Sequence, residues 1–295
     1  MTDTLESLRR KINGAGDLES VVRTMKVLAA SNILQYERAV GSLGDYYRTV
    51  ELGLVICFQR AGEPTTTERQ WQSKTEATGA IVFGSDQGLV GQFNDVLSDY
   101  ASNSLKNFPG EKRIWAVGER MQARLEDAGL SLTGLFQVPN SVNTITPLVG
   151  QILLESEIRR EKGEISQLYI FHNRPKAGSI YEPVVQRLLP LDEKWRNSIA
   201  PIKWPTEKIP EAMFGVEPTL HGLIRQYLFI SLFRACAESL ASENASRLAA
   251  MQRAEKNIDE LLEDLNRAFH RLRQSTIDEE LFDVISGSEA LSKGK

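Results

Sequence analysis

The sequence predicts an α/β protein in which a long antiparallel two-helix coiled coil, formed by the N- and C-terminal helices, flanks a small central, largely parallel α/β domain. Three observations predict it. All eleven prolines lie between Pro64 and Pro218, and a proline inside a helix costs about 3 kcal/mol, so the two proline-free ends are open to long helices. Apolar residues recur every seven positions in both ends. The middle alternates short apolar runs with helix-like segments, the pattern of a parallel sheet with crossover helices.

At the N-terminal end, Leu8, Ala15, Val22, Ala29, Tyr36 and Leu43 form one row at seven-residue spacing. Leu5 and Ile12 start a companion row, and Leu18, Met25 and Ala39 continue it one position out of phase. The slip falls at Gly14 and Gly16, so a local kink or overwinding is expected there. A helix over 4–58 would measure roughly 80 Å. At the C-terminal end, Met251, Ile258, Leu265 and Leu272 make one row, and Ala254, Leu261, Ala268 and Ser275 the other. This 3-4 alternation predicts a left-handed supercoil with a partner helix. A helix over 219–286 would be on the order of 100 Å long, and its natural partner is the N-terminal helix running antiparallel.

Between them, strands are expected at 78–83, 113–117, 132–138, 165–172 and 184–189. Helices are expected at 94–107, 119–128 and from Pro147 to about 160, and a loop at 173–180. Alternation of this kind makes the central domain Rossmann-like. The resulting domain plan is a coiled-coil helix over 1–60, a linker over 61–77, the α/β domain over 78–210 and a coiled-coil helix over 211–295.

Composition excludes several function classes. With 35 basic and 39 acidic side chains the net charge is -4, against the excess of Lys and Arg that nucleic-acid binding needs. The longest apolar run, 52–58, is far short of the ~20 residues of a membrane span, so no direct membrane insertion is expected. Residues 1–4 carry neither a basic nor an apolar signal region, so no secretion signal is expected. Cys57 and Cys236 stand far apart and His172, His221 and His270 are isolated, so no metal site follows.

The loop Gly84-Ser85-Asp86-Gln87-Gly88-Leu89-Val90-Gly91-Gln92-Phe93-Asn94 sits between a strand and a helix, where a phosphate cradle would lie. Its glycine spacing fits neither phosphate-loop pattern and it holds no lysine, so a tight turn is the better reading. No nucleophile elbow surrounds Ser85, and catalysis is unsupported. No cofactor is expected. Past Ser275 the heptads give way to Ile277, Leu281, Phe282, Val284 and Ile285. With Leu5 opposite Leu272, this apolar tip projects beyond its partner and needs cover from another protein.

Three motifs then carry a resemblance. Met25-Lys26-Val27-Leu28-Ala29-Ala30-Ser31 resembles the A-M-x-M-V-A-A-S-K signature of F-type ATP synthase γ subunits. The loop Ser85-Asp86-Gln87-Gly88-Leu89-Val90-Gly91-Gln92-Phe93-Asn94 is similar to that family's S-D-R-G-L-C-G-x-[FY]-N. Ser242-Glu243-Asn244-Ala245-Ser246-Arg247-Leu248, then Arg273-Gln274-Ser275-Thr276-Ile277-Asp278-Glu279-Glu280-Leu281 and Val284-Ile285-Ser286-Gly287, resemble its C-terminal segments. The three occur in the family's order. Gln87, Leu248, Asn32 and Asp278 depart from it, a drift similar to that of divergent branches such as the N-type F-ATPases.

The resemblance implies a non-catalytic rotor shaft. Its helix pair would enter a ring of α and β subunits, and its central domain would rest with the ε subunit on the membrane rotor c-ring. That places it at the cytoplasmic face of a bacterial membrane, coupling ion flow to ATP synthesis or hydrolysis. By motif match, Met25, Arg247, Arg273, Gln274 and Glu280 would be polar or lever contacts to the ring, with Ile277, Leu281, Val284 and Ile285 forming the tip. The rival readings are a coiled-coil adaptor or scaffold and a nucleotide-binding α/β protein with helical arms.

Overall fold

The computed structural model describes residues 4–61, 77–191, 193–202, 204–208, 210–213 and 215–292, with side chains described except at 61, 193, 194 and 286–292. The expected linker at 61–77 falls, but for its two ends, outside the described residues. The chain divides into two compact units: Met1–Ala29 with Leu248–Lys295, and Ala30–Arg247. Two long helices pass through both.

Helix α1 spans Leu5–Ala61. Thr4 starts it: its Oγ1 accepts from the Ser7 amide at 3.2 Å, while Ser7 Oγ accepts from the Thr4 amide at 3.1 Å. This reciprocal cap satisfies donors that the first turn leaves open. The helix runs through Gly14 and Gly16 without interruption. The C-terminal helix, α6, spans Val216–Ser292. Both helices exceed the expected lengths.

In the larger unit, α1 and α6 are antiparallel. Asn32 Nδ2 donates to Asn244 Oδ1 at 3.3 Å, and Tyr46 Oη to Gln226 Oε1 at 2.9 Å. At Gly53 the helices approach so closely that a Cβ would lie 2.9 Å from Leu223 Cδ1. In the smaller unit the same helices are tied by Arg23 and Lys26 to Glu255.

The first heptad row is as expected: Leu8, Ala15, Ala29 and Tyr36 are buried, and Val22 and Leu43 half-buried. The companion row is corrected at Leu18, which is 58% exposed, whereas Glu19 and Lys26, seven and fourteen residues beyond Ile12, are half-buried. Met25 and Ala39 are half-buried as expected. The row carries charged residues whose stems pack and whose heads pair, Glu19 with Arg23 and Lys26 with Glu255. The second C-terminal row is corrected likewise. Leu261 is 49% exposed and Ser275 is exposed, while Glu255, Leu262, Phe269 and Thr276 are half-buried. The seam follows 4-3 rather than 3-4 spacing from Met251, with Ala254 and Ala268 on its flank. Leu261→Asp should therefore change stability by no more than about 0.5 kcal/mol, as read from the thermal unfolding midpoint.

The central sheet has order β3-β2-β1-β4-β5. Strands β1 (Thr78–Phe83), β2 (Lys112–Val117) and β3 (Leu132–Phe136) are parallel to one another, and β4 (Gln167–Lys176) is parallel to β1. Strand β5 (Ser179–Leu189) is antiparallel to β4. The loop expected at 173–180 is instead the end of this hairpin, pairing Arg174 with Glu182 and Lys176 with Ser179. Charged side chains on an exposed ribbon had hidden the strand pattern.

Helices α2 (Phe93–Lys106), α3 (Glu119–Asp127) and α4 (Val142–Glu161) connect the strands, and a short α5 (Glu193–Ile199) precedes α6. Pro147 does not open α4. Val142 opens it five residues earlier, capped by Ser141 and Thr144. One apolar cluster joins α1 and α6 to the sheet through Leu54, Ile81, Ile152, Ile170, Ile230 and Leu232. A second, built on Val82, Leu97, Ile114, Met121, Leu125 and Phe171, fills the space under α2 and α3. Alternate residues of β1 thus feed opposite faces, as a two-sided sheet requires.

Candidate functional site: the joint between the C-terminal helix and the sheet

In sheets of this class the chain leaves β1 toward β3 and returns on the other side of β1. The crevice between the carboxyl ends of β1 and β4 is then the usual place for a ligand. Here α6 occupies it. Ser239 Oγ donates to the carbonyl of Phe83 at 3.3 Å, at the end of β1. Ser242 Oγ donates to the carbonyl of Asn173 at 3.1 Å, on β4. Ser246 Oγ donates to the carbonyl of Val90 at 2.6 Å, in the loop after β1. Glu238 completes the row, 2.9 Å from His172 Nε2 and 2.7 Å from Arg234 Nε.

Serines at 239, 242 and 246 recur at three- and four-residue steps, which puts them on one face of a helix. All three are buried. A small hydroxyl lets backbone approach backbone while supplying the donor that a buried carbonyl needs. Burial acts to raise the pKa of the Glu238 carboxyl, but hydrogen bonds from His172 and Arg234 outweigh it and hold it below the ordinary value. Glu243 is the opposite case. Burial pushes its carboxyl up, and Arg247, 2.7 Å away, only partly offsets this.

The loop 84–94 is committed to the same joint. Asn94 Oδ1 accepts from the Ser85 amide at 3.1 Å, and its Nδ2 donates to Ser85 Oγ at 2.8 Å. Asp86 accepts from the amides of Glu119 at 3.0 Å and Val138 at 3.2 Å. Asn173 Nδ2 donates to the Phe93 carbonyl at 3.0 Å. The polar groups of the loop are directed at the fold, which is the tight-turn reading of its sequence. Gln87, Leu89 and Gln92 are exposed, and Leu89 has φ of 62°, a conformation that strains a branched side chain.

The residues singled out from the sequence fall into two groups. Arg247 belongs to the joint, paired with buried Glu243. Arg273, Gln274 and Glu280 are exposed, as are Ile277, Leu281, Val284 and Ile285 near the end of α6. Met25 is half-buried on α1. Sequence reasoning missed an apolar stripe on α1: Leu18, Val21 and Leu28, all exposed, follow i, i+3, i+10 and share a face with Met25. The spacing was visible, but Leu18 had been assigned to the seam. Among the described residues no group of three or more His, Cys, Asp or Glu could hold a metal, and no helix is long and apolar enough to cross a membrane.

A largely parallel sheet whose ligand crevice is occupied by a long helix, itself paired with a second long helix, defines a class of protein: an α/β sheet packed against two long antiparallel helices. The chain belongs to the ATP synthase family, whose model matches residues 4–291. It is 28% identical to the ATP synthase gamma chain of Dechloromonas aromatica, over 97% of this chain and 99% of that one. It is 27% identical to the gamma chain of Salinibacter ruber, over 98% of each. A chain of the Euglena gracilis mitochondrial ATP synthase has the same fold, with a TM-score of 0.65 at 18% identity, covering 99% of this chain and 95% of that one. The adaptor reading finds no support in these relatives.

Proposed function

We propose that this chain is the gamma subunit, the central rotor stalk, of an F-type ATP synthase, and that its work is mechanical. The observation that supports this best is the joint itself. Torque applied to the central domain must reach α6 without slip, and α6 is held at the carboxyl ends of β1 and β4 by Ser239, Ser242, Ser246 and Glu238. Hydrogen bonds spaced along one helix face resist rotation of the helix about its own axis better than apolar contact alone, because each has a preferred direction.

In this reading the exposed apolar groups are contact surfaces for other subunits. The stripe of Leu18, Val21 and Leu28 with Met25, and the end of α6 with Ile277, Leu281, Val284 and Ile285, face the ring of α and β subunits. Arg273, Gln274 and Glu280 supply directional contacts there. The central domain rests on the ε subunit and the c-ring, at the cytoplasmic face of a bacterial membrane. In this reading α1 and α6 form the shaft, and the sheet with the helices that connect its strands forms the foot.

Truncation after Leu272 tests the contact assignment. The shortened chain should keep its central domain folded while ATP-driven ion pumping in reconstituted vesicles falls severalfold. Pumping at the full rate would remove the end of α6 from the mechanism.

A further inference from the structure

Beside the joint lies a polar cavity of about 320 Å³ between β4, β5 and α6, lined by His172, Arg174, Gln186, Ser231, Arg234 and Glu238, with Tyr47 of α1 at its side. Two polar atoms in its wall, His172 Nδ1 and Ser231 Oγ, are buried without a hydrogen-bond partner. Their residues are only 4% and 2% exposed. Buried polar atoms without partners are rare, because each forfeits its hydration. Two in one cavity can be satisfied by one guest.

The chemistry of the wall specifies that guest. His172 Nε2 faces the Glu238 carboxylate at 2.9 Å and so carries the proton. In the tautomer whose one proton is on Nε2, Nδ1 is an acceptor, which needs a donor from the guest. Ser231 Oγ is a free hydroxyl, and each guanidinium has N–H groups beyond those it gives to carboxylates: Arg174 bonds Glu182 and Arg234 bonds Glu238. These need acceptors from the guest. Around the cavity, Arg174, Lys176 and Arg234 stand against the paired carboxylates Glu182 and Glu238. Glu51 faces Arg234 from α1, with burial pushing its carboxyl toward the neutral form. The balance favours an anion of low charge that also carries a donor.

We propose that this cavity binds a hydrogen-phosphate group, its P–OH donating to His172 Nδ1 and its oxygens accepting from Ser231 Oγ and the guanidiniums of Arg174 and Arg234. The group comes from free orthophosphate, or from a small phosphate monoester bound as its monoanion, the minor form at neutral pH that keeps a P–OH. Isothermal titration of the full chain with orthophosphate, sulfate and glycerol 3-phosphate at neutral pH tests it. Orthophosphate should bind, sulfate, which has no O–H at that pH, should bind more weakly, and Ser231→Ala should weaken orthophosphate about tenfold. Tighter binding of glycerol 3-phosphate than of orthophosphate would identify a monoester as the source, and the reverse order the free ion. Ser231→Ala also controls for folding. It deletes an unpartnered buried hydroxyl, so without ligand it should melt no lower than the parent. Arg174→Gln, at the exposed rim, is the second variant and should weaken binding similarly. Silence with both phosphates, sulfate binding as tightly as orthophosphate, or affinity unchanged in both variants would overturn the proposal.

Discussion

Gly118→Ala should cost about 2–6 kcal/mol and lower the unfolding midpoint of the central domain by many degrees. Gly118 has φ of 108°, where an L side chain is strained, and a Cβ there would lie 2.6 Å from the carbonyl oxygen of Ser85 and 2.7 Å from its carbon. Neither backbone can yield. The Gly118 amide donates to the Phe136 carbonyl at 2.9 Å, and the Ser85 carbonyl accepts from the Arg120 amide at 3.0 Å. Movement of Ser85 would in turn disturb Asn94 and Asp86, the two side chains that hold the loop beneath α6. Gly150→Ala is the control. That glycine lies within α4 and nothing would meet its Cβ within 4 Å, so the change should stabilise by about 0.5–1 kcal/mol. Urea unfolding of both variants reads the difference, and equal midpoints would refute the packing described for the joint.

Met251→Asp should unfold the helix pair of the smaller unit while sparing the sheet. Met251 is 2% exposed, and an uncompensated buried charge costs about 3–5 kcal/mol. Glu255, one turn further along α6, adds like-charge repulsion at i,i+4. Its cation partners, Arg23 and Lys26, are already engaged with it. The loss should appear as reduced far-UV helicity and as proteolytic cleavage confined to the ends of the chain. Met251→Leu, which conserves volume, should cost less than about 1.5 kcal/mol. Retained helicity in Met251→Asp would mean that the seam does not run through this residue.

The two aspartate substitutions at 251 and 261 also show what the sequence revealed and what it concealed. The long helices were legible because proline is absent from the ends and because Leu8, Ala15, Val22, Ala29 and Tyr36 are apolar at constant spacing. The second row of each helix was not. At positions 19, 26 and 255 the seam is lined by charged residues, so a search for apolar side chains moves to Leu18 and Leu261, which the fold leaves exposed. Lys26 can sit there only because Glu255 meets it from the other helix, and that pairing is a tertiary fact.

The strands were legible for the same reason as the first heptad row. Thr78–Phe83 is buried throughout and reads as continuous apolar sequence. Only the outer end of the β4–β5 hairpin was read as loop, because Arg174 and Lys176 pair with Glu182 across it in a solvated setting. The joint was hidden most completely. Ser239, Ser242 and Ser246 carry no hydrophobic signal, and their importance lies in which carbonyls they meet. Of the motifs that carried the family resemblance, the loop at 85–94 and the segment at 242–247 belong to the joint, whereas the residues at 273–285, Thr276 apart, are exposed.

The most direct test of the account is observation of the chain turning. A bead fixed to the β4–β5 hairpin, with the chain assembled into an immobilised ring of α and β subunits, should rotate in one direction when ATP is supplied. It should stop when the joint is weakened by combining Ser239→Val, Ser242→Val and Ser246→Val, even though hydrolysis continues. A bead that stays still on the unmodified chain while the ring hydrolyses ATP would contradict the assignment of this chain as a rotor.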